Sequence, residues 1–82
     1  MSEQHVHVLI VEDEQGIVDN IEFILQQEGF RSSHALTVGC AREIISEESI
    51  SLVILDIGLP DEDGFTFCRE LRKESNVPII FL

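Results

Sequence analysis

Basic side chains are scarce: five lysines and arginines stand against sixteen aspartates and glutamates, a formal charge of −11. A chain this acidic is repelled by polyanions, which excludes non-specific binding to nucleic acid or to an anionic membrane. Cysteine is nearly absent as well. Cys40 and Cys68 are too few and too isolated for a disulfide framework. Each lies beside apolar residues in a predicted helix, so small buried thiols are expected rather than a redox or metal role. No apolar run approaches the ~20 residues that a membrane span requires, and the N-terminus is too polar for a secretory signal. A cytoplasmic address is the resulting expectation. There is no linker, repeat or low-complexity tract.

What remains is a chain able to fold. A hydrophobic share of 44% argues for a true core, and 82 residues make one small domain or part of one. Folding at this size buries only roughly 60–65% of the unfolded chain's surface, so the margin of stability is thin. Glu3, Glu28, Glu43, Glu47, Glu48 and Glu74 are expected on a solvated surface.

Two apolar runs each end in carboxylates. His7-Val8-Leu9-Ile10-Val11 leads into Glu12-Asp13-Glu14, and Leu52-Val53-Ile54-Leu55 leads into Asp56. Runs this short and this rich in Val and Ile read as strands buried on both faces, the habit of a parallel sheet covered by helices. Ligands of open α/β sheets bind beyond the carboxyl ends of the strands. If the two strands are neighbours, Glu12, Asp13 and Asp56 meet at one such end. Three crowded carboxylates repel, and a hard divalent cation with oxygen ligands, Mg2+ before others, relieves them.

Between these runs, Ile17, Val18, Ile21, Ile24 and Leu25 recur at helical spacing from Gln15 to Glu28, and Gly29 supplies the stop. Phe30 to Ala35 reads as an edge strand. Thr37 is a plausible N-cap for a helix through Val38, Ala41, Ile44 and Ile45 to about Glu47. Residues 58 to 64 form a loop by their Gly, Pro and Asp content. Phe65, Cys68, Leu71 and Arg72 mark a third helix to about Glu74, with Phe65 expected in the core and Phe67 partly exposed. Pro78 to Leu82 begins a fourth strand. The order β-α-β-α-β-α-β predicts an α/β fold with a doubly wound parallel sheet.

The segments VLIVEDE at 8–14, LVILDIGLPDEDGF at 52–65 and VPIIFL at 77–82 resemble the receiver domain of two-component response regulators. The stretch EDEQGIVDNIEFILQQEGF is similar to regulators of the CreB type in the winged-helix OmpR/PhoB class. The resemblance implies a flavodoxin/CheY-like sheet in the order 2-1-3-4, with Asp56 as phosphoacceptor for a sensor histidine kinase. It further implies Asp13 as a direct Mg2+ ligand, Glu12 holding the metal through water, and Gly58 offering a backbone carbonyl. Pro60 and Gly64 would shape the loop over the site. A carboxylate attacking phosphorus must approach an anion, and a metal that bridges both neutralises the charge that develops. A transcriptional output is implied for the parent protein.

The family's hydroxyl residue after the fourth strand, its fifth-strand Lys and aromatic, and its last two helices have no counterpart here. Lys73, the only lysine, falls at the end of the third helix and is no substitute. The expectation is therefore the N-terminal two thirds of a single receiver domain, with slow phosphorylation and failed signal transmission. Apolar surface left on the fourth-strand edge and the first-helix face is expected to make it a homodimer or poorly soluble. The alternative reading is a phosphorylation-incompetent fragment that only self-associates or binds a kinase.

Three further readings fit the residues less well. A haloacid-dehalogenase-type phosphatase wants a second acid where Gly58 stands. Asp61, Asp63, Gly64 and Glu70 match some positions of a calcium loop, but Leu59 and Pro60 occupy its first two and a strand precedes it. His5 and His7 share one side of an extended segment, which suits zinc less well than an ordinary strand start.

Overall fold

The computed structural model describes residues 6–82. His5 and Glu3 lie outside the described residues. Seven elements follow in order: β1 (His7–Val11), α1 (Gln15–Gln27), β2 (Arg31–Ala35), α2 (Val38–Glu47), β3 (Leu52–Leu55), α3 (Gly64–Arg72) and β4 (Ile79–Phe81). All strand pairs are parallel, and the sheet runs β2-β1-β3-β4. This is the expected doubly wound order, with its crossover point between β1 and β3.

Every residue of β1 is buried, because the strand is covered on both faces. Leu9 and Val11 join Val53, Leu55, Val38, Ala41, Phe67 and Leu71 in one core beneath α2 and α3. Val8 and Ile10 point the other way and pack with Val18 of α1. One helix covers that second face, so Ile54 stays half-buried, and Phe23, Ile24 and Ile80 are exposed.

The helix ends follow local chemistry. Gly29 takes a left-handed φ of 81°, and the N–H groups of Gly29 and Phe30 return to Gln26 and Leu25, closing α1. Thr37 accepts the N–H of Cys40 at 3.1 Å and starts α2 as expected. Glu28, Glu43, Glu47, Glu48 and Glu74 are all exposed. His7 is buried, with its Nε2 2.8 Å from Ser33 Oγ and 3.4 Å from Glu48, so it ties β1 to β2 and to the end of α2.

Two expectations are corrected. Phe67 is 2% exposed and Phe65 46% exposed, the reverse of the sequence reading. The buried stripe of α3 is Gly64, Phe67 and Leu71, whereas the Phe65-Cys68-Arg72 phase would have sent a guanidinium toward the core. Phe65 instead meets Phe81 of β4, ring centroids 5.0 Å apart. Cys40 is exposed rather than buried, because Val38 and Ala41 carry the inward face of α2 and Cys40 lies off it. Cys68 is half-buried against the core.

Candidate metal and phosphoryl site

Parallel pairing of β1 with β3 sets Val11 beside Leu55, and the Asp56 N–H donates to the Val11 carbonyl at 2.9 Å. The next side chains of both strands therefore emerge together. Oxygens of Glu12, Asp13 and Asp56 all lie within 4.8 Å of one another. They line a cleft of about 460 Å³ with Glu14, Ile17 and Leu82. The expected trio converges because of strand register, not because of any contact made by the side chains themselves.

The three carboxyls are not equivalent. Glu12 is 4% exposed, Asp56 half-buried and Asp13 exposed. Burial raises the Glu12 carboxyl above its ordinary value of 4.5, and the charges of Asp56 and Asp13 add to the rise. The Glu14 N–H, donating to Glu12 Oε2 at 3.1 Å, opposes it. A carboxylate whose ionised form is penalised by burial and by like charge is a group that a cation would stabilise. The donor set, all oxygen and all acidic, fits Mg2+ or a similar hard ion.

The loop after Asp56 closes on itself. The Gly58 N–H donates to Asp56 Oδ1 at 3.3 Å, Gly58 bridges to Asp63, and the Gly64 N–H donates to the Ile57 carbonyl. Pro60 is exposed in the middle of this loop. Gly64 is fixed by crowding: a Cβ there would stand 2.6 Å from the Asp56 carbonyl oxygen and 2.9 Å from Ile57 Cα. Asp63 caps α3 through the Phe65 N–H at 2.9 Å, and Asp61 accepts N–H groups of α2. Those two aspartates are thus committed to helix ends, which removes the calcium-loop pattern. Sequence reasoning missed Glu14, Ile17 and Leu82 as cleft walls. Only Glu14 carried a signal, as the third acid of its run.

Comparison with known proteins gives one consistent answer. Residues 8–82 match the family model of the response regulator receiver domain. Among solved structures, a two-component response regulator from Clostridium difficile superposes with a TM-score of 0.91 at 25% identity, covering 94% of this chain and 64% of its own. The MaeR response regulator bound to beryllium trifluoride gives 0.88 at 31% identity, covering 94% and 66%. The BeF3-activated N-terminal receiver domain of Klebsiella pneumoniae RstA gives 0.87 at 33% identity, covering 92% and 64%. The chain thus spans about two thirds of the length of these matches. No helix among the described residues is long and apolar enough to cross a membrane. By the match over residues 8–82, with the acids gathered at the β1–β3 crossover, the chain belongs to the response regulator receiver domain family of two-component systems.

Proposed function

We propose that this chain accepts a phosphoryl group on Asp56 from a sensor histidine kinase, with Mg2+ held by Glu12 and Asp13, and that the parent protein passes the signal to a transcriptional output. It is a phosphoacceptor rather than an enzyme with a separate substrate. The observation that carries this reading is the meeting of Asp56 with two further carboxylates within 4.8 Å at the open end of the sheet. MaeR bound to beryllium trifluoride and RstA activated by BeF3 add support by likeness, since that anion mimics a phosphoryl group.

An ionised Asp56 oxygen attacks phosphorus as the bond from phosphorus to the donor nitrogen breaks, and no proton has to leave the nucleophile. Mg2+, when bound, would supply the positive charge that offsets repulsion between the carboxylate and the phosphoryl group. Glu12 and Asp13 would hold that charge beside Asp56, and the Gly58 N–H steadies one Asp56 oxygen so that the other can be presented.

The test is a melting curve with Mg2+ alone and with Mg2+ plus beryllium fluoride. At about a hundred times its Kd, Mg2+ adds about 2.7 kcal/mol, or about 10–20 °C for a domain this small. The pH dependence has a definite sign. The Glu12 carboxyl is raised on folding, so the folded state holds its proton longer. The Glu12 contribution to metal-free stability is therefore present below 4.5 and lost as pH rises through the raised folded value. The Mg2+ gain should be largest above that window and shrink below it. Beryllium fluoride should add a further rise only with Mg2+ present and not in Asp56→Asn; equal effects in both proteins would remove Asp56 from the role.

A second reading concerns the exposed apolar side chains Phe23, Ile24 and Ile80. They favour self-association across the first-helix face and the β4 edge. Sedimentation equilibrium of Phe23→Ser/Ile80→Ser beside the unmodified chain tests this, and an unmodified chain that stays monomeric at high concentration would end it.

A further inference from the structure

The loop from 57 to 63 is fastened to more than its own ends. Its two outermost acids reach across to α2. Asp61 Oδ1 accepts the Val38 N–H at 3.0 Å, and Oδ2 accepts the Gly39 N–H at 3.1 Å. These are the first two N–H groups of the helix, and Thr37 takes the third, from Cys40. The arrangement divides the free donors of the helix between a local cap and a side chain 23 residues away. Glu62 then pairs with Arg42, one turn further along α2, at 3.0 Å. Arg42 also pairs with Glu70 of α3 and lies 5.4 Å from the Phe67 ring centroid. Asp61 is an exposed side chain, yet the Val38 N–H, with help from Gly39, holds its carboxyl below the ordinary range.

We propose that Asp61 is a positioning residue for the acid site: by anchoring the far side of the loop to the start of α2, it holds Gly58 against Asp56 in the geometry that receives the cation. The inference rests on the phosphoacceptor reading above. Without the anchor, the loop keeps the Gly58–Asp63 bridge and the Gly64–Ile57 bond at its neck and, across to α2, only the Glu62–Arg42 ion pair. Gly58 is then held less firmly against Asp56. An ordinary helix cap would affect stability alone, whereas an anchor affects how well the site takes its ligand.

Mg2+ binding by titration calorimetry, below the melting temperature of every protein compared, separates the two. Asp61→Ala should weaken Mg2+ binding about tenfold, the low end of what groups behind metal ligands contribute. Thr37→Ala removes a cap from the same helix end without touching the loop, and should lower the melting temperature while leaving Kd within about twofold. Asp61→Asn keeps one acceptor and should fall between; it carries the test should Asp61→Ala not fold. Unchanged Mg2+ affinity in the Asp61 variants, or an equal loss in Thr37→Ala, overturns the positioning role and leaves the phosphoacceptor reading standing. An unmodified chain that binds no Mg2+ overturns both.

Discussion

Gly64→Ala is expected to destabilise the fold by about 2–3 kcal/mol, the upper part of the usual range of about 1–3 kcal/mol for forcing a methyl group into filled space. A domain of this length has roughly 4–12 kcal/mol in total, so the loss is a large fraction of it. The cause is local and rigid. The methyl carbon would sit 2.6 Å from the Asp56 carbonyl oxygen and 2.9 Å from Ile57 Cα, both backbone atoms that cannot rotate aside. Relief requires α3 to draw back from the end of β3, which shifts the backbone that carries Asp56. Stability and Mg2+ binding should therefore fall together. Urea unfolding followed by far-ultraviolet circular dichroism measures the first. Gly16→Ala is the control, since nothing lies within 4 Å of its added carbon. As the second residue of α1 rather than a mid-helix glycine, it should gain no more than about 0.5–1 kcal/mol on replacement. A Gly64→Ala midpoint equal to that of the unmodified chain would show that α3 does not press on β3.

Phe67→Ala should cost about 3–5 kcal/mol, enough to leave much of the chain unfolded at 37 °C. Phe67 lies in the core among Leu9, Val11, Val53 and Leu55, and truncation opens a cavity there. Phe65→Ala, two residues away, should cost only about 0.5–1.5 kcal/mol, the worth of an aromatic pair with Phe81. Comparable losses from the two variants would place α3 in the other rotational phase.

That pair of phenylalanines marks where sequence patterns stop being decisive. The apolar residues of α3 are compatible with two phases, one through Phe65 and Cys68, the other through Phe67 and Leu71. The deciding factor is the close approach of Gly64 to the end of β3, a tertiary contact with no periodic signature. Cys40 misled for a similar reason, since apolar neighbours in sequence say little about which face of a helix a residue occupies. By contrast, the trio Glu12, Asp13 and Asp56 was legible because the acids stand at the ends of two buried runs. Once those runs pair in parallel, register alone brings the acids together. Thr37 and Gly29 were legible because caps and left-handed stops depend on neighbours a few residues away. Asp61 was not, as its partners are Val38 and Gly39 and no local spacing connects them. Leu82 reaches the cleft only because β4 pairs beside β3.

Phosphoryl transfer to Asp56 beside a cation held by Glu12 and Asp13 is the expected chemistry. Its most direct test is the intact mass of the chain after incubation with Mg2+ and a small acyl-phosphate donor, with Asp56→Asn treated in parallel. A single phosphoryl adduct that requires Mg2+, disappears on treatment with hydroxylamine and is missing from Asp56→Asn is the expected result. An adduct of the same size on Asp56→Asn, or no adduct on a chain that demonstrably binds Mg2+, would contradict it.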